Sequence, residues 1–158
     1  MFARVLLVAS VAWLAAVIAA PFAIQSSVPP VRDLAALMYA AAGFICHQRP
    51  ERSYWIAGEQ LPVCARCTGL YVSAALGAPM AYVYATAVSS ARARVVAFAA
   101  GLPTLLTWSM EMAGLAHPSN TVRAVAALPL GFAVAWLLMS TVAANTDRRV
   151  AERTNRAA

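Results

Sequence analysis

Apolar residues recur along this chain in long unbroken runs, without the one-sided periodicity of a surface helix or the alternation of a half-buried strand. The first run extends from Val5 to Ile24 with no charge after Arg4, and others follow at 68–88, 95–116 and 124–144. About 20 consecutive apolar residues cross the hydrocarbon core as a helix, so the pattern predicts four spans. Pro21, Pro79, Pro103 and Pro129 lie inside them, where neighbouring helices can satisfy the backbone groups that proline frees. Frequent small residues suit close helix packing in lipid. The first run exceeds the apolar region of about 7–15 residues in a cleavable signal peptide, and no small-x-small site follows. It is therefore read as an uncleaved span.

One apolar stretch is too short to cross. Leu34 to Ile45 follows Pro29, Pro30 and Asp33, with Asp33 as the expected N-cap, and predicts an interfacial or re-entrant helix. The reading is thus an all-α membrane protein forming one domain over 1–158. It has four transmembrane helices, a short interfacial or re-entrant helix before a Cys/His loop within 25–67, and a basic tail at 145–158. Composition agrees: 62% of residues are apolar and 11% charged, against about 25% charged in soluble domains. That balance excludes an ordinary cytosolic enzyme, a disordered chain and a disulfide-dense secreted module.

The net charge of +6 comes from twelve arginines, no lysine and six acids. Four crossings put both termini on one side, with Arg4, Arg92, Arg94, Arg148, Arg149, Arg153 and Arg156. The opposite side carries Arg32, Arg49, Arg52, Arg66 and Arg123 with Asp33, Glu51 and Glu59. The positive-inside rule then places both termini in the cytoplasm of a bacterial inner-membrane protein. The bilayer is the expected partner, with an anionic lipid or another membrane subunit beside it. No nucleic-acid motif is present.

The chemistry gathers on the outer side, in C-H-Q-R-P-E-R-S at 46–53 and P-V-C-A-R-C-T-G at 62–69. All three cysteines are here, with one of the two histidines. Glu111 is the only acid inside a span, about 7–8 Å below the end of the third one at 1.5 Å per residue. An intramembrane acid is a functional candidate, for which the bland alternative is an ion pair with Arg123 or Arg66 that locks two helices.

Three readings of these residues stay open. C-x-x-C plus a distant Cys/His pair is metal-site spacing, so Cys46, His47, Cys64 and Cys67 could hold a divalent metal such as zinc. Cys46 and His47 are adjacent, and both can face one ion only where the helix has already ended. The second reading is thiol–disulfide exchange with a quinone, the C-x-x-C being activated by Arg66 and a helix N-terminus. Its architecture is similar to that of the bacterial disulfide-bond formation protein and the vitamin K epoxide reductase family. The third is an enzyme or binder for an anionic lipid headgroup, using Arg49, Arg52, Arg66, Arg123, Ser53 and Asn120, with Glu111 and His47 as the acid–base candidates.

C-H-Q-x-P-x-R-S followed by P-V-C-A-R-C-T-G-x-Y, with S-N-T-V-R at 119–123, resembles the domain-of-unknown-function family numbered twenty eighty-five. The resemblance covers roughly residues 34 to 132. It departs in the third span, where the family has Asp-Gly and a later Gln and this chain has Thr107, Trp108 and Glu111. It implies a small multi-pass membrane protein and no particular activity.

Overall fold

A computed structural model of the chain describes residues 2–84 and 88–157. Five helices account for most of them: α1 (Phe2–Ala23), α2 (Pro29–Gly43), α3 (Ala65–Tyr84), α4 (Ser90–Met112) and α5 (Asn120–Ala157). Among the described residues, three helical stretches are long and apolar enough to cross a membrane: Phe2–Ala23, Ser90–Met112 and Asn120–Val142. The predicted second span, 68–88, overlaps α3, which starts three residues earlier; 85–87 lie outside the described residues and 88 is not helical. The 20 residues of α3 reach about 30 Å, but glycine, serine and tyrosine dilute its apolar character.

That dilution has a packing reason. α3 makes the most extensive helix contact in the molecule, with α5, and also packs on α1. A Cβ at Gly69 would lie 2.1 Å from the Ala124 carbonyl oxygen, and one at Gly131 would lie 2.2 Å from that of Leu70. Only glycine lets these two backbones approach so closely. α4 is more peripheral, joined to α5 by packing and by the Thr104 hydroxyl donating to the Ala126 carbonyl at 2.8 Å.

The structure corrects the all-α reading in the connection between α1 and α3. After α2 come a single 3-10 turn (Pro50–Arg52) and a two-stranded antiparallel hairpin, β1 (Ser53–Ile56) and β2 (Glu59–Cys64). Ala57 and Gly58 turn the chain with φ of 52° and 82°, the two positive values that a tight hairpin turn needs. Ala-Gly is a weak form of this turn signal, because alanine seldom adopts positive φ. The run Ser-Tyr-Trp-Ile is the surviving hint of a strand. This connection also has its own core, in which Val17, Ala42, Cys46, Leu61, Val63 and Cys64 are buried and Trp13, Met38, Tyr54 and Tyr71 pack around them.

Helix ends shift for local reasons. α2 starts at Pro29, with proline in its first turn and Val28 as the cap residue. Asp33 is therefore not the N-cap but an exposed side chain inside the helix, near Arg32. Proline suits a first turn because the N–H it lacks has no helical partner there. α4 stops at Met112, short of the predicted 116, because Gly114 takes a φ of 68° and the Leu115 N–H returns to the Met110 carbonyl. This is the glycine-terminated helix end. Glu111 consequently sits in the last turn of α4, nearer the helix end than the sequence predicts. At the other terminus α5 runs on to Ala157 as one helix, so the tail is continuous with the span.

Candidate functional site

Three elements deliver the three cysteines to one place. Cys46 follows the end of α2, Cys64 is the last residue of β2, and Cys67 lies in the first turn of α3. Their Sγ atoms all lie within 4.8 Å of one another. The backbone N–H of Cys64 donates to Cys46 Sγ at 3.1 Å, and the Thr68 hydroxyl holds the Cys64 carbonyl at 3.1 Å. All three thiols are free.

The turn carrying Cys46 is clipped to the hairpin by glutamines to which the sequence assigned no role. Gln48 adopts φ 49°, a left-handed conformation that costs a residue with a side chain about 1–2 kcal/mol. Its Nε2 donates to the Tyr39 and Pro62 carbonyls at 2.7 and 2.8 Å. Its own carbonyl accepts from Gln60 Nε2 at 2.7 Å. Gln60 also donates to the Ser53 hydroxyl, and the Tyr39 hydroxyl donates to the Gln60 carbonyl. This interlock sets Cys46 against Cys64 across an 18-residue separation. The glutamine inside the C-H-Q motif is the sequence signal by which it could have been found.

His47 stands outside the sulfur cluster. α2 has ended before it, so the backbone condition for adjacent ligands is met. Its imidazole is nevertheless exposed, with Nδ1 accepting the Arg49 N–H at 3.1 Å. Among the described residues, the metal-ligating side chains that cluster here are the three cysteines.

Hydrogen bonds from the Cys64 thiol, then from Cys67 and from the Gln48 and Cys64 backbone, hold the Cys46 thiol well below the ordinary thiol range. The bond to Cys46 in turn pushes the Cys64 thiol up. Thiolate character is thus drawn to Cys46. Arg66, expected beside the C-x-x-C as its activator, points its guanidinium at Glu111 instead. Three sulfurs at this spacing fit a thiophilic ion: zinc–sulfur bonds of about 2.3 Å in tetrahedral geometry put sulfurs about 3.8 Å apart.

A second cluster surrounds Glu111. Its carboxylate, 3% exposed, meets Arg123 at 2.7 Å, Arg52 at 3.1 Å and Arg66 at 3.2 Å. The predicted pairing with Arg123 or Arg66 is therefore extended to both, plus Arg52, and it ties α4 to α3, α5 and the 3-10 turn. Arg123 also donates to Asn120 Oδ1 at 2.8 Å, and Asn120 Nδ2 donates to the Ser53 carbonyl at 2.9 Å. The Ser53 hydroxyl donates to the Arg49 carbonyl at 2.9 Å. Ser53 and Asn120, expected around an anion, are thus engaged in joining the hairpin to α5. Arg49 is exposed and makes no ion pair with Glu111.

A family model described as "Predicted membrane protein (DUF2085)" matches residues 46–137, a stretch that holds both clusters. An uncharacterized protein of Methanothermobacter thermautotrophicus is 33% identical over 97 residues, covering 60% of this chain and 84% of that one. A second, from Methanocaldococcus jannaschii, is 28% identical over 104 residues, covering 65% of this chain and 66% of its own. No solved structure matches.

Proposed function

We propose for this chain, which belongs to the DUF2085 family of predicted membrane proteins, a multi-pass metal-binding role centred on Cys46, Cys64 and Cys67. The single observation that carries this reading is the convergence of the three Sγ atoms within 4.8 Å from three separate elements. Thiolates select zinc and similarly thiophilic ions. Cys46, Cys64 and Cys67 supply three ligands, and the fourth position belongs to water or a small external ligand. His47, exposed and bonded to the Arg49 N–H, shapes the turn beside the ion. When bound, the metal supplies Lewis acidity and cross-links α2, the hairpin and α3.

In this reading α3 is the fourth crossing. Support comes from one end of the bundle, where the hairpin region meets all four long helices. Val17 of α1 joins the hairpin core, β2 leads into α3, and Glu111 of α4 and Asn120 of α5 bond to the same region. Four crossings put both termini on one side, and the arginine bias makes that side cytoplasmic. The metal site then lies at the extracytoplasmic interface, in a bacterial inner membrane. A membrane-impermeant maleimide should label Ser27→Cys from outside intact cells.

Elemental analysis of the purified protein beside a thiol count tests the metal. About one zinc-like ion per chain is expected, lost in Cys64→Ser and kept in His47→Ala. Absence of metal together with a disulfide among the three cysteines would overturn the reading in favour of a thiol–disulfide oxidoreductase acting with a quinone. Loss of the ion in His47→Ala would convert the site to one of three cysteines and a histidine.

A further inference from the structure

The arginine cluster has a charge imbalance that helix locking does not require. Three guanidiniums converge on one carboxylate, and the side chains of Arg66 and Arg123 are only 13% and 10% exposed. Each guanidinium has five N–H donors, whereas a carboxylate offers about four lone-pair directions. The shortfall is visible, because the Nε donors of Arg66 and Arg123 are both closed off and without a hydrogen-bond partner. Tying α4 to the three elements that carry these arginines leaves donors over, since one carboxylate cannot serve them all.

The placement also runs against each helix's own electrostatics. Arg66 is in the first turn of α3 and Arg123 in the first turn of α5, where the backbone dipole is already positive. Glu111 is in the last turn of α4, where the dipole disfavours an anion. Two positive helix ends and three arginines therefore share one small volume around a single negative charge. The residual charge of the four side chains is about +2, and a phosphate monoester carries about −1.5 to −2 near neutral pH. The planar guanidinium fork matches phosphate oxygens in pairs. Arg52 gives the cluster its open edge, its side chain being 21% exposed.

We propose that Arg52, Arg66 and Arg123 form a binding site for a phosphate-bearing anion, with Glu111 as the internal counter-charge that keeps the three guanidiniums gathered. The site uses none of the three cysteines as a ligand, although Arg66 lies between Cys64 and Cys67 in the chain. Its phosphate comes from a lipid headgroup or from a free phosphate, and both present the same oxygens.

The test uses the full chain purified in detergent. One arm titrates inorganic phosphate calorimetrically against chloride. The other adds phosphatidic acid or phosphatidylcholine and reads bound lipid by native mass spectrometry. The expected result is selective binding in at least one arm: phosphate over chloride assigns a free anion, and phosphatidic acid alone assigns the headgroup. Arg52→Lys keeps the charge, leaves Glu111 its two more buried partners and loses the fork, so it should bind about tenfold more weakly. Arg32→Gln, on the exposed side of α2, should bind like the wild type. Absence of selectivity in both arms, or wild-type affinity in a folded Arg52→Lys, would overturn the proposal and leave the cluster a structural lock.

Discussion

Replacing Glu111 by glutamine keeps the side chain's shape and removes the negative charge at the centre of the arginine cluster. The carboxylate is 3% exposed and has guanidinium nitrogens at 2.7, 3.1 and 3.2 Å. At an effective dielectric of about 20, unit charges about 4 Å apart interact by about 4 kcal/mol, so the three attractions together are about 12 kcal/mol before opposing terms. Repulsion among the arginines and the cost of desolvation offset most of that sum. In the variant the repulsion stays and the attraction is gone. Removing one partner of a buried ion pair typically costs about 3–5 kcal/mol, a large share of the ~5–15 kcal/mol that holds a domain folded. Thermal unfolding in detergent should register the change as a fall in Tm of about 10 °C, while Glu51→Gln, at an exposed position, should leave Tm unchanged. A Glu111→Gln protein melting within about 2 °C of wild type would refute the reasoning, since it would mean that the three guanidiniums need no counter-charge.

Gly131→Ala places a methyl group 2.2 Å from both the Leu70 carbonyl oxygen and the Ser73 hydroxyl, so α3 and α5 must part. A loss of about 3 kcal/mol is expected, seen as a lower Tm, whereas Gly101→Ala, whose Cβ meets only Leu130 at 3.9 Å, should be neutral. Gln48→Ala leaves the Tyr39 and Pro62 carbonyls without this donor. It should weaken zinc binding about tenfold or more in competition with a chromophoric chelator, and an unchanged affinity would show that the clip does not position Cys46. On the proposed metal reading, a chelator should accelerate proteolysis between 44 and 64 while far-ultraviolet circular dichroism stays nearly constant, because the ion would hold the hairpin region whereas the long helices form by local bonds. An unchanged cleavage pattern would argue against that dependence.

Much of this protein is legible in its sequence because helix formation in an apolar run is local. Each residue's backbone bonds are made a few positions away, so run length alone locates α1, α4 and α5, and C-x-x-C at the start of α3 brings Cys64 and Cys67 near each other. The hairpin is not legible in the sequence because its turn is made by Ala57 and Gly58, a pair with little intrinsic preference for two positive φ values. Glu111 and the arginines are separately legible as unusual, one as an acid within a predicted span and the others as arginines on the predicted outer side.

Tertiary structure decided which of these residues meet. Arg52, Arg66 and Arg123 converge on Glu111, while Arg49 remains at the surface and Ser53 and Asn120 bond to backbone and to each other's elements. Cys46 joins the C-x-x-C pair, and His47, one residue on, does not. Both outcomes rest on side-chain direction at the ends of elements that are distant in sequence. That direction is set by the glutamine interlock at Gln48 and Gln60 and by the glycine-mediated approach of α3 to α5. Spacing along a chain carries no information about such contacts, because they exist only once the helices have packed.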